Sequence, residues 1–174
     1  MIKNNRLIWF RRMMAVVFLL SGGLSFAWDL DQEYVDKTNN FKLKYPASWQ
    51  VKGSPESKDL VKADINSPDN KAGIQVRVYK SNHKSFDEFI DWYVAQFLRE
   101  MKNVVMLDGG YKAIGYKTGY AVRFDGSRRN GYFLKSYIIL AADVAYVFQS
   151  GAPSNEQDTY ESILDAIVQS FETL

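Results

Sequence analysis

The 174-residue chain has no cysteine, one histidine and four prolines. Without thiols there is no disulfide, no cysteine nucleophile, no thiolate metal site and no lipid-bearing cysteine behind a signal. One histidine cannot build a conventional zinc centre. A Ser-His-Asp triad would have to pass through His83, and no G-x-S-x-G elbow exists to receive it. His83 stands in the polar stretch Ser81-Asn-His-Lys84 just before a helix, a solvent position. Phosphate-cradling loops are also missing: Gly109-Gly110 lacks the G-x-G-x-x-G spacing, and no G-x-x-x-x-G-K-S/T run occurs. Few routes to catalysis survive these absences.

The first 27 residues hold Lys3, Arg6, Arg11 and Arg12 and no acid. They therefore carry four of the chain's 22 basic residues and none of its 20 acidic ones, so the formal charge of +2 becomes −2 beyond them. The pI of 8.6 belongs to this leader and does not signal nucleic-acid binding. Met13 to Leu20 is an apolar run of eight residues, far short of the roughly 20 that span a bilayer as a helix. Ser21-Gly-Gly23 breaks the run, and Ser25-Phe-Ala27 places small residues at −3 and −1 before Trp28. This order predicts a secretory signal over 1–27, cleaved after Ala27, and a protein of the bacterial periplasm or exterior. Arg11-Arg12 is a twin arginine, a pair commonplace in basic leaders.

Residues 28–40 form an acidic N-terminal segment in which Asp29, Asp31 and Glu33 alternate. The glycine and closing glutamate of a calcium loop are absent, so an extended stretch with Trp28 or Tyr34 tucked inward is expected. Residues 41–174 then read as one domain of strands, helix, strands, helix. Phe41, Leu43 and Tyr45 alternate with Lys42 and Lys44, predicting a strand that Pro46 ends. Further strands are expected at Trp49–Val51, Leu60–Ile65 and around Ile74, Val76 and Val78. Ser85 followed by Glu88 is a capping box opening a helix whose buried stripe is Phe86, Phe89, Ile90, Tyr93, Phe97 and Met101.

Asp108-Gly-Gly110 is a turn signal, predicting a hairpin between Val104–Leu107 and Tyr111–Ile114. A strand from Tyr116 to Phe124, a polar tip over 125–131, a central strand Tyr132–Ala141 and a strand Val144–Gln149 follow. Ser154 caps a last helix with the stripe Tyr160, Ile163, Leu164, Ile167 and Phe171; Asp158, Glu161 and Asp165 are expected on its solvent side. Links of hairpin length imply a mainly antiparallel sheet with helices packed on it, an α+β fold.

The opening Phe41-Lys-Leu-Lys-Tyr-Pro-Ala-Ser-Trp49 resembles the "Phe-x-x-x-Tyr-Pro-x-x-Trp" start of PsbP-like domains, and the element order over 41–173 is similar. The resemblance implies an α/β/α sandwich around an antiparallel sheet. It also implies a noncatalytic role, since characterised relatives assist a photosynthetic complex, bind a nuclear-transport GTPase or sit in bacterial envelopes. No cofactor is expected.

One place has local character. Arg123, Arg128, Arg129, Asn130 and Lys135 cluster around the predicted hairpin tip, near Tyr116, Tyr120, Phe124, Tyr132, Phe133 and Tyr137. Arginine with aromatics is the composition of interaction surfaces. The expectation is thus an exported, noncatalytic accessory or protein-interaction module whose partner is an envelope protein or complex. It would bind no nucleic acid and keep no stable transmembrane span after signal cleavage. The alternative is a periplasmic protein that binds a small ligand or metal ion in a pocket at one end of the sheet.

Overall fold

The computed structural model describes residues 28–82, 85–126 and 131–174; the signal, His83 and the hairpin-tip residues Arg128, Arg129 and Asn130 lie outside the described residues. The chain runs β1 (Gln32–Asp36), β2 (Phe41–Tyr45), β3 (Gln50–Gly53), β4 (Val61–Asn66), β5 (Gly73–Lys80) and α1 (Phe86–Glu100). It continues through β6 (Val105–Ile114), β7 (Lys117–Gly126), β8 (Tyr132–Ala141), β9 (Val144–Pro153), α2 (Gln157–Gln169) and β10 (Glu172–Thr173). Seven strands form one sheet in the order β3-β4-β5-β9-β8-β7-β6, and β1-β2-β10 form a small second sheet. Every described pairing is antiparallel.

The period-two alternation of the inner strands divides the core into two. Ala145, Val147 and Ile138 face α1, where Phe89, Ile90, Tyr93 and Phe97 cover them. Tyr146, Phe148, Tyr137 and Ile139 face the other way, under α2 and the small sheet. The result is a mixed α+β fold with an antiparallel sheet flanked by helices. The middle of the large sheet is β9, one strand over from the expected centre, β8.

The Ser85 hydroxyl accepts the Glu88 N–H at 3.2 Å, as the capping box predicts. The Phe97 ring stacks on Phe124 at 4.3 Å. Tyr93 brings its hydroxyl into the same interface, 2.8 Å from Ser136 Oγ, and accepts a 2.8 Å hydrogen bond from Gln149 Nε2. Burial pushes the pKa of that phenol up. On the opposite face Phe171, just past α2, packs on Phe41, Tyr146 and Phe148 with ring centroids 6.2, 5.1 and 5.0 Å apart.

Two local expectations change. Val104–Leu107 and Tyr111–Ile114 do not form a hairpin: Val105–Ile114 is one strand through both glycines, with a register shift between Met106 and Asp108. The turn comes later, at Gly115-Tyr116, where Gly115 takes φ +57°. Gly109 serves a close approach instead, because a Cβ there would stand 2.5 Å from the Tyr120 hydroxyl. Ser154 does not cap the last helix; Ser154–Glu156 make a 3-10 turn with no side-chain cap before α2 begins. Segment 28–40 is extended, as expected: it contains β1, paired with β2, and Tyr34 lies against Phe41 at 5.9 Å. Asp36 is buried and accepts both the backbone N–H and the side-chain amide of Asn39, at 2.9 and 2.8 Å, fixing the β1–β2 turn.

Candidate interaction surface

The sheet register sets Arg123 of β7 directly opposite Lys135 of β8. Neighbours across a ladder share a face, so both project toward α2. Their surroundings differ sharply.

Lys135 is 8% exposed. Its ammonium donates to Glu161 Oε1 at 3.1 Å and to both Asp165 oxygens at 2.9 and 2.8 Å. The buried Tyr137 hydroxyl also donates to Asp165. The Tyr137 ring lies 5.1 Å from the Lys135 ammonium and 5.3 Å from that of Lys112, two cation–π contacts on one ring. Burial, followed by the Asp165 carboxylate, raises the Tyr137 pKa. Glu161 and Asp165 therefore do not sit on a purely solvated helix face; they hold an internal cation. Lys135 belongs to the joint between α2 and the sheet.

Arg123 is half-exposed and grips Asp108 of β6, with Nε 3.0 Å from each carboxylate oxygen and Nη2 also donating. The Arg123 hydrogen bonds hold the Asp108 carboxyl below its ordinary pKa. Between these groups lies an open hollow of about 340 Å³ bounded by Asp108, Gly110, Lys112, Arg123, Lys135 and Glu161. Its charges are largely matched with one another, which leaves it poorly suited to proton transfer or nucleophilic attack. Among the described residues no group of three or more His, Asp or Glu is placed to hold a metal ion.

The hollow opens onto the feature that the sequence reading missed. Strand β6 is the outer strand of the large sheet and among the described residues pairs only with β7, so one side of a ten-residue strand is unladdered. Val105, Leu107 and Tyr111 there are 54, 59 and 55% exposed. Long apolar edges are templates for another strand unless they are covered or interrupted. The interruption here is the irregularity at Leu107; no proline occurs in β6. The opposite edge, β3, has only four residues. Val105-Met-Leu107 and Tyr111–Ile114 each read as strand, and the turn composition of Asp108-Gly-Gly110 between them hid their continuity.

A second concavity, of about 740 Å³, lies where the β1–β2, β6–β7 and β8–β9 turns meet the end of β5. It is lined by Lys58, Lys62, Lys80 and Lys117 against two acids, Asp59 and Asp143. Lys62 is 9% exposed, and its ammonium donates to the Ser57 carbonyl at 2.6 Å. The Tyr146 hydroxyl donates to the Asn39 carbonyl at 2.9 Å in its wall. No helix among the described residues is long and apolar enough to cross a membrane.

No family model matches the chain, and no curated protein matches it by sequence. Solved structures do match by fold. The solution structure of the cyanobacterial PsbP protein CyanoP from Synechocystis sp. PCC 6803 superposes with a TM-score of 0.63 at 13% identity, over 82% of this chain and 92% of that one. LpqN of Mycobacterium tuberculosis, described as involved in cell envelope biogenesis, gives 0.54 at 16% identity over 77% and 83%. A Bacteroides thetaiotaomicron VPI-5482 protein gives 0.52 at 14% identity over 83% of this chain and 49% of its own, so the match spans about half of that protein. The likeness is one of fold: the topology is PsbP-like.

Proposed function

We propose that this chain is an exported, noncatalytic accessory module of the bacterial envelope that acts by receiving a protein strand along the β6 edge. The observation that carries the reading is that edge: a long outer strand with exposed Val105, Leu107 and Tyr111 and backbone groups open on one side. Strand addition draws affinity from main-chain hydrogen bonds and specificity from alternate side chains, which β6 offers. The basic leader and the Ser25-Phe-Ala27 cleavage pattern support export, with residues 1–27 removed. The described envelope role of LpqN, a protein of the same fold, is in keeping with it.

The test is site-specific photocrosslinking in cells at low expression, with the probe at Leu107 and a control probe at Lys52 on the opposite edge. A discrete adduct from Leu107 and none from Lys52 is expected. Adducts of equal yield from both positions, or none despite efficient crosslinking of a known envelope complex, would overturn the reading.

A second reading rests on the four-lysine cavity, whose excess of cations favours a small anion over a neutral ligand. Thermal shift with inorganic phosphate and with citrate, against sodium chloride at matched ionic strength, tests it. Stabilisation lost in Lys62→Met supports an anion site; no shift with either anion removes it.

A further inference from the structure

We propose that the strand received by β6 is β6 of a second copy of this chain, paired antiparallel about a two-fold axis through Gly110. The proposal rests on the reading of β6 as an interaction edge and names its occupant.

The direction of the backbone groups comes first. Gly115-Tyr116 is a two-residue turn closing on the Ile114–Lys117 pair. In such a hairpin the closing pair is hydrogen-bonded, and alternate residues of an antiparallel strand aim both backbone groups the same way. Ile114, Lys112, Gly110 and Asp108 therefore address β7, while Ala113, Tyr111 and Gly109 address the open side. A second β6 must match open residue to open residue.

Three registers near the centre of the strand satisfy that condition. With Tyr111 opposite itself, Asp108 meets Ile114 and Lys112 meets Gly110. With Gly109 opposite itself, Asp108 meets Gly110 and Lys112 runs up against the irregularity at Leu107. In neither does Asp108 face Lys112. With Gly110 opposite itself, Asp108 of each copy faces Lys112 of the other, twice over by symmetry. Opposite charges directly across a ladder stabilise it, and a surface that complements its own rotated image is what a two-fold dimer requires.

The side chains agree with this register. Lys112 rests over Tyr137 and has no ion pair among the described residues, so it can supply a cation to an incoming Asp108. Asp108 already holds Arg123, and a second cation would complete an Arg–Asp–Lys row across the seam. On the other face Tyr111 of each copy would lie opposite Gly109 of its mate. The chain's own Tyr120 fills the space over Gly109, so the mate's Tyr111, itself held by Phe86, Tyr120 and Asp87 of its own chain, would abut that Tyr120 ring across the seam. The irregularity at Leu107 interrupts the ladder beyond this central segment and confines the pairing to one short register.

The chain's lack of cysteine makes the axis directly readable. A Cβ at Gly110 would meet nothing within 4 Å, so Gly110→Cys is sterically free. Facing residues of a non-hydrogen-bonded antiparallel pair have Cα atoms about 4.5 Å apart, within the roughly 4.4–6.8 Å range of disulfides. The exported protein, purified as the cell leaves it, is oxidised as Gly110→Cys and, for comparison, as Val105→Cys, which is exposed but off the axis. Gly110→Cys should form the covalent dimer about ten-fold faster or more, because pairing raises the local thiol concentration. Sedimentation of the unmodified chain should show a mass rising with concentration from one copy toward two. Lys112→Asp and Asp108→Lys should each sediment as monomers, with folding checked by circular dichroism, and their mixture should pair again.

A chain that stays monomeric at every concentration, or a Gly110→Cys rate no higher than that of Val105→Cys, overturns the proposal. If that happens while the Leu107 probe still captures a different envelope protein, only the self-pairing fails. Failure of both the Leu107 probe and the cysteine pair removes β6 as an interaction edge.

Discussion

Replacing Lys135 with methionine takes an ammonium from beneath α2 and keeps an unbranched stem in its place. The wild-type cation is 8% exposed and meets Glu161 and Asp165 through contacts of 2.8 to 3.1 Å. Removing one member of a buried ion pair typically costs about 3–5 kcal/mol, because the other is stranded. Here the Glu161 and Asp165 side chains are 28 and 31% exposed, so water partly rescues them, and about 2 kcal/mol is expected. For a domain of this size that is roughly 4–8 °C in Tm.

Acid should shrink the difference. Burial works against the Glu161 carboxylate, but hydrogen bonds from Gln157 and Lys135 and the Lys135 charge outweigh it and hold its pKa below the ordinary 4.5. A depressed carboxyl contributes fully above its unfolded pKa and loses that contribution as pH falls through the folded value. Urea unfolding of the wild type and Lys135→Met at pH 7 and pH 3 therefore reads both quantities. Adding Asp165→Asn to Lys135→Met should restore part of the loss, since the stranded charge goes and Tyr137 keeps an acceptor. A penalty under about 0.5 kcal/mol at pH 7, or one unchanged at pH 3, would refute the reasoning, given the usual spread of surface substitutions.

Phe171→Ala should cost about 3–5 kcal/mol in urea unfolding, because a buried ring in contact with three other aromatics leaves a cavity that cannot collapse. Ala142 holds φ +55° in the β8–β9 turn, so Ala142→Gly should raise stability by about 0.5 kcal/mol in thermal denaturation. That is the left-handed cost of about 1–2 kcal/mol relieved, less the entropy glycine adds to the unfolded chain. Hydrogen bonds from Ser67 and Tyr160 hold the Asp69 carboxyl down at about 2. Its contribution should be present above pH 4 and fade toward pH 2; a stability-versus-pH curve of Asp69→Ala should lack that step.

Much of this architecture can be read from alternation alone. Phe41-Lys-Leu-Lys-Tyr45 and the Ser85 capping box set an element and its buried face together, and both stand where they were expected. The misreadings share a cause: local chemistry was outvoted by neighbours too distant in sequence to see. Asp108-Gly-Gly110 has the composition of a turn, yet Arg123 fifteen residues on holds Asp108, and Tyr120 lies over Gly109. Segment 28–40 reads as an extended polar stretch because β1 is an outer strand that exposes much of itself; its pairing with β2, distant from any local signal, makes it part of a sheet. Arg123 and Lys135 are register partners, but sequence could not say which would be buried. That depends on Glu161 and Asp165 arriving from α2.

The small sheet joins segments far apart in the sequence: β2 is flanked by β1 on one side and by Glu172–Thr173 on the other. Tyr116 reinforces the seam, its hydroxyl accepting the Thr173 N–H at 3.1 Å. Neither that sheet nor the core around Phe171 can close until β2 and the segment Phe171–Thr173 have met, with the seven strands of the large sheet between them in sequence. Long-range closure of this kind is slow and comes late.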